Sequence, residues 1–414
     1  MHLPYSTQTE GTGGILKQRM ADFQVEEISL DGSVCTIRAF SDSDKKELQK
    51  TWPAQETGKD YLHITLEKFN YDQHLAIKRV ARWLQCSPTR FGFAGTKDKR
   101  AITAQRISIW KPNYERVQSF ASRYIELYDA LWSGQRIELG DLNGNRFNIT
   151  IRGIELNEQE TRMRILECMK QMQNGIPNYF GEQRFGGQRG ITALVGEKLI
   201  RNDVKGAVLV YLTHPTPNEE ETIAHARKDL AETNDFAHAL KTTPFKYKYE
   251  RALLSHLSKL PNDFAGAFNK LPRKLSMMFT HALQSKMFNE ILAERLKQGI
   301  ELHAVEGDVL ENEMPTAPLF GCEVQFARGA PGEIEARVLE QNGLELKDFN
   351  VSQIARASSK GTRKTITLIP MEIQLIHIGL DEYSEGKTKA VVSFSLPKGA
   401  YATTVMREVM KNDF

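Results

Sequence analysis

Paired cysteines are missing from this chain. Its four cysteines, Cys35, Cys86, Cys168 and Cys322, are scattered over 414 residues with no close pair. That suggests neither a disulfide framework nor a cysteine zinc knuckle, and a reducing cytoplasm is the expected compartment. The ten histidines are dispersed and form no HExxH-like pair, so spacing offers no metal centre. No apolar run reaches the length that crosses a bilayer. The opening MHLPYSTQTEGTGG has no apolar signal core, so secretion is not expected. No GxxxxGK(S/T) string occurs, nor a carboxylate cluster suited to magnesium, which argues against an enzyme handling nucleotide phosphates. The net charge is only +3. A basic surface must therefore be local, as at residues 97–100 or at Arg273 and Lys274.

Apolar residues make up 40% and charged residues 26%, an ordinary balance for a globular protein, and the length suggests two domains. Alternation predicts strands over 23–28 and 34–40, separated by Leu30, Asp31 and Gly32, and another over 61–69. The period then changes. Ala76, Val80, Trp83 and Leu84 mark the inner face of a helix over 72–84 that Ser87 and Pro88 end. Further strands are expected over 102–110, 136–139 and 145–151. Asn157 with Glu160 resembles a capping box, opening a helix that turns Met163, Leu166, Met169 and Met172 inward until Gly175 and Pro177 stop it. Residues 193–201 look helical. From 203 to 356 the texture shifts to an acidic-rich helix at 218–233 and a long amphipathic helix at 275–296, read as a separate domain. Strand-like alternation returns over 363–378 and 390–396, and 401–411 closes the chain as a helix. There is no internal repeat.

Three stretches carry candidate chemistry. The first is FGFAGTKDKRAITAQ, residues 91–105, where one acid, Asp98, sits among Lys97, Lys99 and Arg100 between two expected strands. An ordinary turn there would use Asn-Gly, Asp-Gly or Pro-Gly. A nucleophilic carboxylate must be ionised and held in place, and cations nearby favour the ionised form. In an extended segment Lys97 and Lys99 face away from Asp98, so a cation from elsewhere, such as Lys17 in GTGGILK, is the better direct partner. The plain alternative is a solvated charged hairpin and a solvated terminal lysine. The second stretch is PNYFGEQRFGGQRG, residues 177–190. Bases drawn out of a helix are stacked on aromatic rings and read by amides, a role open to Asn178 and Phe180; a packed aromatic turn is the alternative. The third, LPKGAYATTVMRE, opens a helix near Thr403 and Thr404 that is suited to a phosphate or to ordinary capping. Arg407, inside that helix, reads as an ion-pair partner of a structural carboxylate.

GTGGILK with ADFQVEE, AGTKDKRAITAQ, LNGNRFNITIR, NYFGEQRFG and LPKGAYATTVMRE occur in that order over residues 11–408, and with them the chain resembles the TruD family of tRNA pseudouridine synthases. The resemblance implies an α+β pseudouridine synthase fold, a mostly antiparallel bisected sheet flanked by helices. It implies a catalytic domain in two parts, 1–202 and 357–414, with an inserted family-specific α/β domain at 203–356 and RNA in a basic cleft between the two. It implies isomerisation of a uridine, uridine 13 in the D arm of tRNA, without a cofactor. By the same resemblance Asp98 matches the catalytic aspartate and Lys17 its salt-bridge partner. Phe180 matches the aromatic that stacks on the target base, and Asn178 the asparagine beside it. Phe23 and Glu27 fall in the substrate-site set, where support of the site is expected rather than direct chemistry. Lys97, Lys99, Arg100 and Arg184 are expected to contact RNA. The partner is tRNA, with other RNAs open; a monomer without an obligate protein partner is expected. The rival reading is a non-catalytic RNA-binding or RNA-chaperone protein on the same fold.

Overall fold

A computed structural model describes residues 3–42 and 44–412. The chain forms two compact units, one from Thr7 to Gly175 together with the chain from Ile369 on, the other centred on Ile176–Leu368. Sequence texture put the divisions at 202/203 and 356/357. They fall wider because Ile176–Pro177 pairs with Thr367–Leu368 and the helix Thr192–Ile200 packs on the long helix Arg273–Lys297. The whole PNYFGEQRFGG stretch therefore belongs to the inserted unit.

The first unit is built on an eight-stranded mixed sheet flanked by helices. Its strands are β1 (Phe23–Ser29), β2 (Tyr61–Phe69), β3 (Phe91–Phe93), β4 (Ile102–Trp110), β5 (Ile125–Ser133), β6 (Leu142–Ile154), β7 (Met371–Leu380) and β8 (Thr388–Pro397). They run in the order β7-β8-β6-β1-β4-β2-β5, with β3 also paired to β4. Only β1 and β4 are parallel, with Gln24 opposite Ile102. That pairing sets β1, which carries Phe23 and Glu27, beside the start of β4, where the loop bearing Asp98 ends. Helix α1 (Gln73–Trp83) starts at Asp72, whose carboxylate accepts the Leu75 N–H. Its Ala76, Ile77 and Val80 bury against Leu62, Ile64, Leu66, Ile107 and Ile109. Helix α2 (Glu158–Met172) is capped by Asn157, which accepts the Glu160 N–H at 2.9 Å. It packs on β7 and on the closing helix α3 (Ala402–Met410).

Several local expectations fail for identifiable reasons. Residues 34–40 do not form the expected strand beyond a bridge of Val34 with Ile28 and the short strand Phe40–Ser41, because carboxylates occupy the N–H groups of residues 37–40. Glu67, fully buried on β2, accepts from Arg38, Ala39 and Phe40 at 2.9, 2.9 and 2.8 Å, and Glu26 accepts from Ile37 at 2.7 Å. Residues 136–139 are irregular, with the Ile137 N–H donating to Ser108 Oγ. Residues 363–378 break into Thr362–Thr365, Thr367–Leu368 and β7, distributed over three sheets. Met163 and Leu166 on α2, and Trp83 on α1, lie on exposed surface; only Met169 and Met172 of the methionine stripe are buried.

Glu67 also accepts the Tyr128 hydroxyl at 2.6 Å. Burial first and the Glu67 charge second raise the Tyr128 phenol above its ordinary value. Glu67→Ala orphans several buried donors at once and should cost about 3 kcal/mol or more. Tyr128→Phe removes one donor and should cost about 1 kcal/mol. Denaturant titration of both variants checks this, and small, equal losses would show that the carboxylate does not hold the 37–40 segment.

Candidate active site

The Asp98 loop is pinned at three points outside the sheet ladder. Gln105 Nε2 donates to the Gly95 carbonyl at 3.1 Å, Lys68 Nζ to the Asp98 carbonyl at 2.6 Å, and the Asn70 N–H to the Ala101 carbonyl at 3.0 Å. Lys97 and Asp98 go to different partners. Lys97 turns inward to Glu27, with Nζ 2.6 Å from Oε2 and only 4% of its side chain exposed. Glu27 is itself 1% exposed and accepts the Arg106 N–H at 3.0 Å. Asp98 turns to Lys17, whose Nζ stands 3.5 Å from Oδ1; the aspartate side chain keeps 32% exposure.

Lys17 is fixed by its own segment. Gly14 lies so close to β6 that a Cβ there would meet the Ile151 side chain at 2.6 Å and the Arg152 carbonyl at 2.8 Å. Ile15 and Arg152 exchange backbone hydrogen bonds at 2.8 and 3.0 Å. Lys17 then takes a left-handed φ of 55°, costly for a residue with a Cβ and typical of functional sites. Its ammonium sits 3.9 Å from the centre of the Phe23 ring, a cation–π contact, while Arg100 donates to the Lys17 carbonyl at 3.5 Å.

Lys68 was not singled out in the sequence. It is fully buried, and among the described residues it makes no ion pair. Burial pulls its pKa down to about 8, against the attraction of Asp98 and Asp72. A charged dipeptide, Glu67-Lys68, inside an apolar strand was the available signal.

The second unit holds a cluster of its own. Asn178 is 5% exposed. Its N–H donates to the Ile366 carbonyl at 2.8 Å, and its Nδ2 to the Thr365 carbonyl and Oγ1 at 3.0 and 3.3 Å. Phe180 is bracketed by the Asn289 side chain, which accepts its N–H at 2.8 Å and donates to its carbonyl at 2.9 Å. The ring meets Phe288 edge-on at 5.4 Å. Arg184 donates to Ser285 Oγ at 3.0 Å and lies 5.5 Å from the Phe180 ring centre. Asn289 and Ser285 both come from Arg273–Lys297, so this helix shapes the segment.

Asp98, Lys17, Phe23, Glu27, Lys97 and Arg100 are thus one constellation, and Asn178, Phe180 and Arg184 another. Lys97 is a correction: paired and enclosed, it offers nothing to a phosphate. Phe23, 2% exposed, and Glu27 support the lysines and present no surface to a substrate. Lys99 and Arg100 are exposed. Among the described residues no three His, Cys, Asp or Glu side chains converge as a metal set would.

A family model described as tRNA pseudouridine synthase D (TruD) matches residues 2–314 and 310–409. The chain is 39% identical to a probable tRNA pseudouridine synthase D of Methanosarcina acetivorans over 99% of its own length and 95% of the relative's. It is 35% identical to one from Methanococcus vannielii over 99% and 98%. A crystal structure of the putative tRNA pseudouridine synthase D from Methanosarcina mazei superposes with a TM-score of 0.81 at 37% identity, covering 100% of this chain and 99% of that one.

The depressed Lys68 amine has a consequence for stability. Its pKa is about 8 folded against about 10.4 for an unperturbed lysine. Between those values the unfolded chain binds more protons, so the contribution of Lys68 makes stability rise with pH across the window. Denaturant titrations near pH 8 and pH 10 should show the parent gaining more over the interval than Lys68→Met. Equal gains would mean that this amine is not held in a buried state.

Proposed function

The chain belongs to the TruD family of tRNA pseudouridine synthases, and from that premise we propose that Asp98 is the catalytic carboxylate with which it converts uridine 13, in the D arm of tRNA, to pseudouridine. The family reaction isomerises uridine in tRNA. The bond from N1 to C1′ breaks, the base turns, and C5 joins C1′. Atoms and electrons are conserved within the nucleotide, so no cofactor or energy source is required.

The observation that carries the proposal is the Lys17–Asp98 pair. Attack at C1′, attack at C6 and assistance to glycal formation each need an ionised, fixed and reachable oxygen. Asp98 is reachable, its charge is matched by Lys17, and its main chain is held by Lys68. Phe180 is assigned to stack on the target base, with Asn178 beside it. Phe180 has no hydroxyl to take the C5 proton, and Asp98 is the group proposed to remove it. The exposed Lys99 and Arg100, together with Arg184, are assigned to the phosphate backbone, with binding that weakens as salt rises. No described helix is long and apolar enough to cross a membrane. The chain is proposed to act as a monomer in the cytoplasm.

Asp98→Asn should lower tritium release from 5-labelled uridine in tRNA by about 10³-fold or more while tRNA affinity is kept. Persistent release would remove Asp98 from the chemistry, and wild-type protein that binds tRNA without forming pseudouridine would favour the RNA-chaperone reading. Phe180→Ala should depress turnover more than tRNA binding, because one stacked base contributes about 1–3 kcal/mol to a contact spread over a whole tRNA. Equal losses in both would make the ring structural.

A further inference from the structure

We propose that Lys364 and Asn178 together read the hydrogen-bonding edge of a uracil ring, Lys364 donating to the O4 carbonyl and Asn178 accepting from N3–H. The inference rests on the reading above, in which Phe180 and Asn178 meet the target base, and adds a residue and a basis for choosing that base.

Two unspent polar groups motivate it. The Asn178 amide cannot be turned over, because its Nδ2 faces the Thr365 carbonyl at 3.0 Å and a carbonyl only accepts. Oδ1 is thereby fixed as an acceptor, and it is buried with no partner. Such an orphan is costly and rare in a folded protein. Lys364 precedes Thr365 on the strand Thr362–Thr365. Its Nζ stands 5.2 Å from the Phe180 ring centre and 5.5 Å from that of Phe288. It has no carboxylate partner among the described residues, and burial alone lowers its pKa to about 8. An amine that is mostly charged at neutral pH, partly buried and without a counter-ion, is the complementary donor.

A fixed acceptor with a cationic donor selects among ligands. Uracil presents N3–H beside the O4 carbonyl, so it satisfies both groups at once, N3–H donating to Asn178 and O4 accepting from Lys364. Cytosine has a lone pair at N3, which would face Asn178 Oδ1 and be repelled, and an amino group in place of O4, which would set donor against donor at Lys364. A phosphate would suit the lysine and oppose the amide oxygen. The choice of uracil over cytosine is therefore carried by hydrogen-bond polarity, and stacking on Phe180 is indifferent to it.

The test uses two tRNA transcripts that differ only in carrying uridine or cytidine at the position pseudouridine mapping shows the wild-type chain to modify. Affinities are measured in an Asp98→Asn background so that the uridine persists. The parent should prefer the uridine transcript by about tenfold or more. Lys364→Met should erase most of that preference by weakening the uridine complex alone, and Lys364→Arg should keep it. Thermal melting verifies that both variants are folded. An unchanged preference in Lys364→Met would overturn the proposal. So would equal weakening of both transcripts, which would make Lys364 a phosphate contact, or a parent with no preference. Failure of the underlying reading shows differently, as absence of pseudouridine in any tRNA treated with the wild-type chain.

Discussion

The buried pair of Glu27 with Lys97 decides how the loop between β3 and β4 presents its charges. Both side chains are enclosed, and Glu27 is tied to the sheet through the Arg106 N–H. Removing either partner would strand a buried charge, at a cost of about 3–5 kcal/mol, so Lys97 has one place to go. Its neighbour Asp98 is thereby left to the other side, where Lys17 waits. A run of four charged residues that looks uniform in sequence is divided into one structural lysine, one half-buried acid, and two exposed cations.

The cations around Asp98 are held by different means, each of which would be weak alone. Lys17 is aimed by a left-handed backbone, by the Phe23 ring beneath its ammonium and by Arg100 on its carbonyl. Lys68 comes from below, buried and without an ion pair among the described residues, and grips the Asp98 main chain. An uncompensated amine is expensive to bury. Its position under Asp98, the half-buried acid of the loop, sets positive charge behind a carboxylate that water still reaches.

Side chains also replace backbone partners throughout the molecule. Glu67 and Glu26 collect the N–H groups of residues 37–40, which would otherwise need a neighbouring strand. Asn289 does the same for both polar groups of the Phe180 backbone. In each case a loop gains the hydrogen bonds of a ladder without its regularity, leaving a non-repetitive shape that can display a functional side chain.

The sequence by itself determined the elements whose signal is local. The strands at β1, β2 and β4, the Asn157 cap and the long helix Arg273–Lys297 follow from periodicity and capping chemistry that neighbouring residues supply. The stretch around Asp98 drew attention because it departs from ordinary turn chemistry, while the roles expected of Asp98, Lys17, Asn178 and Phe180 came from the resemblance of their motif strings to a family. Tertiary structure alone decided which charges are buried. Nothing near Lys97 in sequence announces Glu27, some seventy residues earlier, and nothing near Lys364 announces the rings of Phe180 and Phe288. It also decided that residues 34–40 would not be a strand, since alternation cannot reveal a carboxylate arriving from β2, and that the NYFGEQRFG stretch belongs with the inserted unit, since a two-residue pairing with Thr367–Leu368 leaves no periodic trace. Local pattern reports what a segment can form; desolvation and long-range pairing settle which of those charges and donors must find a partner, and where.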